Sequence, residues 1–330
     1  MNQRRPDDPI QEAAAECRKF LKHEIHDTVL EADLQKTTDW VFRIWEKSRQ
    51  LDLPVLLLPE KYQGAGFSPY SCAVLLDIIA AECAGIASVF ALHYAGCMAL
   101  LNADSRQQSI FFLLLTGDGN RRPAIIAPVF PSETAGHRIE VEENDHGLVI
   151  HGTSALAGNA LTADIFCVFI EDDDDTGEHI TCVVLEKNTP GLSTGPPADL
   201  PGLKVNGFAP IIFDRVRVDH QWIVGTRKNA GAAMEKAKDC LFRFIAAMAM
   251  GAAATAFEKA STYARHRYQS GKIIIHHQEI QRMLGAMKMK LSMGTAGYLN
   301  SFNEIPAFFR FEAPKPSLVK VFCTDAALEI

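Results

Sequence analysis

Four kinds of side chain in this 330-residue chain could do chemistry by type: clustered acids, paired histidines, cysteines and one basic turn. Residues 172–175 are four consecutive aspartates, hard oxygen donors of the kind that suit calcium. They come without a spaced ligand set, and adjacent acids in a turn are ordinarily solvated, so no metal site is expected. His276-His277 has no third ligand nearby and reads as the entry to a helix. His93 lies in an apolar helical run, where a core histidine with satisfied ring nitrogens is the default. Met283, Met287, Met289 and Met293 read as core filling. The eight cysteines (17, 72, 83, 97, 167, 182, 240 and 323) are scattered with no C-x-x-C pair. That spacing argues against a disulfide framework and against a thiolate zinc site, and a reducing cytoplasm is the expected setting. Arg265-His266-Arg267 ends a long helical run. By itself a basic turn of this kind reads as ordinary surface charge.

Three regions must position these groups, and they differ in hydrophobic period. Residues 1–120 are helical in pattern: in 72–101 apolar residues recur at threes and fours, with Ala80, Ala81, Gly85, Ala87 and Ser88 allowing close helix approach. Residues 121–226 change to short runs rich in Val, Ile and Phe (AIIAPVF, GLVIHG, ADIFCVFI, HITCVVLE, APIIFDRVRV), separated by turn-forming segments. Residues 227–330 return to the helical period, with two long runs, a break at Pro306, Pro314 and Pro316, and a last helical segment. The fold expected is an α+β multidomain protein: an N-terminal α-helical domain, a middle antiparallel β-domain forming a barrel or sandwich, and a C-terminal helical bundle. In the connector LLLPEKYQGAGFSPYS (56–71), Pro54 and Pro59 forbid a continuing helix. Gly64 and Gly66 allow positive φ or close backbone approach, and Ser68-Pro69 suits the start of the next helix.

Composition narrows the function. At 48% hydrophobic and 22% charged residues, the chain can bury a sizeable core. Its net charge of −7 disfavours a nucleic-acid surface, which needs a basic stripe. The N-terminus has no apolar core behind its arginines, so no secretory signal is expected. The longest apolar run, 244–256, is shorter than a bilayer span, so no membrane span is expected.

Several ordered motifs resemble those of the acyl-CoA dehydrogenase family. Pro59, Glu60, Tyr62, Gly64, Gly66 and Ser68 resemble its early P-E-x-Y-x-G-x-G-x-S signature. NTPGL (188–192), followed by IIFDRVRVDHQWIVG (211–225), is similar to its β-domain. YARHRYQSGKIIIHHQEIQRMLGAM (263–287) resembles its Y-A-x-x-R-x-x-F-G-x-x-I-x-x-x-Q run. The resemblance spans roughly residues 50 to 330. It implies a flavoprotein that uses FAD to remove two hydrogens from an acyl-CoA thioester. A glutamate takes the α-proton, and electron-transfer flavoprotein is the expected acceptor. It implies an oligomer, homomeric or with an intact relative, in which FAD reaches a second subunit. Cofactor contacts fall on Arg267, for the FAD pyrophosphate, and on Gly271, Gln278, Ser132 and Asn159.

The same resemblance shows what this chain replaces. The family's flavin-facing N-G-x-K-x-W-I-T-N stands here as residues 151–159, HGTSALAGN, with Leu156 for the tryptophan and Gly158 for the threonine. The T-E-P-x-A-G-S-D segment is matched by residues 132–137 without its aspartate, and Ser270 replaces the aromatic before Gly271. Neither usual position for the catalytic glutamate carries one: residues 239–244 read DCLFRF, and the chain given ends before the other. Glu258, Glu279, Glu304 and Glu329 have no motif support as the base. Three readings stay open: a flavoenzyme, a catalytically inactive partner subunit, and a non-redox acyl-CoA-binding or structural relative.

Overall fold

In a computed structural model of the chain, the described residues are 9–35, 38–117, 121–132, 137–144, 147–174, 177–225, 227–303 and 315–330. The helical first part contains α1 (Pro9–Glu24), α2 (Val29–Gln35), α3 (Thr38–Lys47), α4 (Pro69–Glu82), α5 (Ala84–Leu100) and α6 (Ser105–Thr116). Strands follow: β1 (Ile126–Val129), β2 (Ile139–Asn144), β3 (Gly147–Ala157), β4 (Ile165–Asp174), β5 (Gly177–Glu186), β6 (Leu192–Thr194) and β7 (Ala209–Asp219). The last part is α7 (Arg227–His266), a hairpin of β8 (Tyr268–Gln269) and β9 (Lys272–Ile273), α8 (Gln278–Asn300) and α9 (Pro316–Leu328). This is the helix–strand–helix order read from the periodicity. By contacts the chain forms two compact units. One comprises Met1–Asp27, Pro69–Ala87 and Phe242–Ile330, and the other comprises Thr28–Ser68 and Ser88–Leu241.

The second of these units holds the β-domain. Sheet order is β1-β4-β5 and β2-β3-β7-β6, and every pairing is antiparallel except β1 with β4. Val168, Ile170, Val183 and Leu185 from the first sheet meet Ile150, Ile211, Phe213 and Val216 from the second in one buried cluster. Alternate residues of β4 and β5 turn the other way, so Cys167, Phe169, Cys182 and Val184 are buried on the opposite face. Both faces of that sheet are therefore covered, which explains why its sequence is nearly continuously apolar rather than alternating.

The helices of this unit are tied to the strands by buried polar side chains. Trp45 Nε1 donates to Pro123 O at 2.8 Å. His93 is fully buried, with Nε2 2.8 Å from Pro54 O and Nδ1 accepting from Ile126 N at 3.2 Å. Burial drives its pKa down to about 4, so the ring is neutral at physiological pH, the satisfied core histidine that its apolar run suggests. In the connector, a Cβ on Gly64 would lie 2.0 Å from Leu58 O, so only glycine lets the loop fold back so closely.

The other unit packs α1 against α4, and α4 against α7 and α8. Gly251 of α7 sits so near α4 that a Cβ would lie 2.0 Å from Asp77 O. Thr255 Oγ1 donates to Ala81 O at 2.6 Å. Gly294 of α8 leaves room for the Met250 sulfur, and Cys323 of α9 donates to Gly294 O. The span expectation needs one amendment. Within Ala230–His266 of α7, an 18-residue window with a mean hydropathy of 1.7 is apolar enough to pass for a membrane helix. Its Phe244, Ala246, Ala247 and Met250 are each 0% exposed, as in the core helix of a folded domain.

Candidate functional site

The site residues read from the sequence fall into both units. Arg267, Gly271 and Gln278 lie together where α7 turns into α8. Arg267 N still bonds to Tyr263 O as a last helical turn, and Ile274 N closes the hairpin onto Arg267 O at 2.8 Å. The two residues between β8 and β9, Ser270 and Gly271, have φ of 53° and 85°. Positive φ at both positions is the type I′ turn that tight hairpins prefer. Ser270 therefore replaces the family aromatic at a position where the backbone is left-handed.

Gln278 opens α8. Its N-cap, His277, makes no side-chain capping bond, so the first amides of a 23-residue helix have no such partner. Lys272 Nζ donates to His276 O at 2.8 Å, fixing a second cation in the hairpin. Nothing lies within 4 Å of where a Gly271 Cβ would be. Arg267, Gly271 and Gln278 are all exposed. An exposed guanidinium and an uncapped helix N-terminus are each of a chemistry that suits a phosphate, and both belong to this one turn of the chain.

The β-domain residues are differently engaged. Ser154 is 3% exposed; its hydroxyl donates to Ala155 O at 2.6 Å and accepts from Ile211 N at 2.9 Å. It thereby fills the register shift between β3 and β7 that falls between Thr153 and Leu156. Asn159 is 0% exposed with φ of 58°. Its amide donates to Val89 O and Ile126 O, both at 3.0 Å, and its own N–H is received by Asn206 Oδ1 at 2.7 Å. Asn159 thus joins β3, β1 and α5. Its Oδ1 has no hydrogen-bond partner among the described residues.

At Gly158 a Cβ would fall 2.3 Å from Leu92 Cδ1, so a threonine there would require the Leu92 side chain to move. Leu156, in the place of the flavin-facing tryptophan, is 53% exposed and offers an apolar side chain at the end of β3. Ser132 is half-buried just after β1, while Glu133 and the three residues after it lie outside the described residues.

None of the carboxylates considered as the base is set apart. Glu258 is exposed, Glu279 pairs with Arg282, and Glu329 pairs with Lys290. Glu304 lies outside the described residues. In the 239–244 segment, Arg243 donates to Ser301 O at 3.1 Å and stacks on Phe302. Among the described residues, no group of three His, Cys, Asp or Glu is placed to hold a metal.

One titratable group escaped the sequence reading. Asp77 accepts from the Tyr298 hydroxyl at 2.5 Å. Burial raises its carboxyl above the ordinary range, while the Tyr298 bond and the Arg18 charge pull it back down. Burial and the Asp77 charge push the Tyr298 phenol strongly up. The available signal was a lone acid inside the apolar run of α4, PYSCAVLLDIIAAE.

Comparison with known proteins agrees with this architecture. The acyl-CoA dehydrogenase N-terminal domain matches residues 8–113, and the acyl-CoA dehydrogenase C-terminal domain matches residues 243–330. An acyl-CoA dehydrogenase of Bacillus subtilis (strain 168) is 27% identical over 259 residues, 77% of this chain and 68% of that protein. The structure of butyryl-CoA dehydrogenase from Megasphaera elsdenii superposes with a TM-score of 0.81 at 23% identity, over 100% of this chain and 84% of the other. PigA, solved with FAD and proline, superposes with a TM-score of 0.85 at 17% identity, over 99% and 86% of the two chains. The two matched domains together cover more than half the sequence, in the order and with the change of period found here, and the chain belongs to the acyl-CoA dehydrogenase family.

Proposed function

We propose that this chain binds FAD and works as a subunit of an oligomeric acyl-CoA dehydrogenase-type oxidoreductase acting between the α and β carbons of an acyl-CoA thioester. The observation that carries the reading is the Arg267 hairpin: an exposed guanidinium, a type I′ turn at Gly271 open to approach, and the uncapped N-terminus of α8 at Gln278. Arg267 holds the pyrophosphate through paired N–H donors, and the α8 amides add their aligned dipoles. Gly271 keeps that approach free of a side chain. When bound, the flavin supplies the hydride acceptor. PigA carries FAD in a chain of similar fold, which supports the cofactor assignment. Electron-transfer flavoprotein is the acceptor proposed for the assembly.

A specific observation favours a second reading, in which this chain is the inactive partner in a heteromer. Residues 239–244, the stretch that resembles the helix position where some relatives carry their glutamate, read DCLFRF with no glutamate, and Arg243 is already bound to Ser301 O. Gly158 cannot be widened to a hydroxyl residue without displacing Leu92.

The visible spectrum of the chain, purified after expression with excess FAD, tests the cofactor assignment. A flavin spectrum that disappears in Arg267→Ala supports it, and a colourless folded wild-type chain refutes stand-alone binding. Turnover of an acyl-CoA with an artificial electron acceptor, by the flavin-loaded chain alone, then separates the first reading from the second.

A further inference from the structure

A cavity of about 480 Å³ opens where α6 ends and where β1 and β4 begin. None of the residues assigned to FAD lines it, and Ser132 lies past the opposite end of β1. Its apolar wall includes Leu113 and Leu114 of α6 and Ile165 of β4. Leu113 is 66% exposed, so that wall is open to solvent. Arg122 and Asp164 line the same cavity as a two-point ion pair. Nη1 donates to Oδ2 at 2.8 Å and Nη2 to Oδ1 at 2.7 Å. Ile125 N also donates to Asp164 Oδ2, at 2.9 Å, so the pair ties the entry of β1 to that of β4. This tie does not exhaust either group. A guanidinium has five N–H donors. Among the described residues Arg122 spends them on Asp164 and on Pro123 O, at 3.3 Å, which leaves Nε and one Nη2 hydrogen unused. Asp164 Oδ1 accepts from Nη2 alone. The two side chains are 28% and 35% exposed, so a ligand can reach them.

Exposed Arg121 and Glu186 add one further charge of each sign, so the lining is neutral as a whole. A lone anion or a lone cation would meet only half of it. A molecule that carries both signs side by side meets both, and the apolar wall calls for an apolar body on the same molecule. We propose that this cavity binds a free α-amino acid with a large apolar side chain, its carboxylate on Arg122 and its ammonium on Asp164. The two charges of an α-amino acid are carried on one carbon, and the donor and acceptor offered here are adjacent too, 2.7 Å apart. The side chain lies against Leu113, Leu114 and Ile165. The volume falls within the range of about 300–1,000 Å³ usual for small-molecule sites. Binding here needs neither the flavin nor the redox reaction.

Isothermal titration calorimetry of the purified chain tests this, with L-phenylalanine as the probe. 2-Phenylethylamine lacks the carboxylate, 3-phenylpropanoate lacks the ammonium and glycine lacks the side chain. Each is expected to bind on the order of tenfold or more weaker than phenylalanine. Arg122→Lys keeps the charge but loses the paired donor edge, and is expected to weaken phenylalanine on the order of tenfold. Leu113→Glu leaves the ion pair alone and puts a solvated charge where the phenyl ring is to lie. It is expected to weaken phenylalanine by a similar factor, with a wild-type circular dichroism spectrum because the position is exposed. Should Arg122→Lys fail to fold, Leu113→Glu decides. Absence of binding heat at millimolar phenylalanine overturns the proposal. An analogue that binds as tightly as phenylalanine also overturns it, and assigns the cavity to a simple amine or acid. Phenylalanine binding that survives both substitutions places the amino acid elsewhere and overturns it too.

Discussion

Lowering the pH should destabilise this protein through one buried ring. His93 is wholly enclosed, its Nε2–H donates to Pro54 O and its Nδ1 accepts from Ile126 N, so no ring position can take a proton without breaking a bond. Its pKa falls from the ordinary 6.5 to about 4, through burial, offset in part by the Pro54 bond. Above pH 7 the ring is neutral whether the chain is folded or not, and it adds nothing to the pH dependence. Between about 6.5 and about 4 the unfolded chain takes a proton that the folded chain refuses, so stability falls as pH falls. Each pKa unit of difference is about 1.4 kcal/mol, so moving from pH 7 to 4.5 should remove about 2–3 kcal/mol through this group alone. Urea unfolding at both pH values, for wild type and His93→Gln, isolates that part. The glutamine keeps a donor for Pro54 O and has no proton to gain. Trp45, whose ring meets His93 edge-on at 4.8 Å, gives a fluorescence signal beside the titrating group. If both proteins lose the same stability between the two pH values, the account of His93 is wrong.

Other substitutions separate packing from ligand effects. Gly251→Ala forces a methyl into Asp77 O and should destabilise by about 1–3 kcal/mol or more, seen as a lower Tm, while Gly285→Ala, with open space around it, should gain about 1 kcal/mol from helix propensity. Tyr298→Phe leaves the Asp77 carboxylate without its hydroxyl donor and should cost about 1–3 kcal/mol. Because Asp77 is already raised, that loss should be greater at pH 7, where the carboxyl is charged on unfolding, than at pH 4, by denaturant melts at each pH. Ser154→Ala removes one donor and one acceptor from the β3–β7 register shift and should cost about 1–3 kcal/mol, with faster amide exchange at Ile211.

Much of the fold was legible in the sequence because hydrophobic period is a local property. The threes and fours of residues 72–101 and the Val/Ile runs of 121–226 became α4, α5 and the sandwich. Gly64 and Gly66 marked a loop that no side chain could enter. Arg267, Gly271 and Gln278 lie within twelve residues in sequence, and the tight β8–β9 hairpin that holds them came only from the structure. What the sequence could not decide depends on partners far along the chain. Asn159 reads as a retained cofactor residue, and tertiary structure sets its amide on carbonyls from Val89 and Ile126. Ser154 and Gly158 read as simple losses, whereas one closes a strand irregularity and the other makes room for Leu92. Asp77 became notable only when Tyr298, 221 residues away, was brought to it. Sequence determines which residues can be helix, strand or turn, because those choices rest on neighbours along the chain. Which polar groups are occupied and which are left open was settled only by the folded structure, because burial and hydrogen bonding are properties of contacts in space.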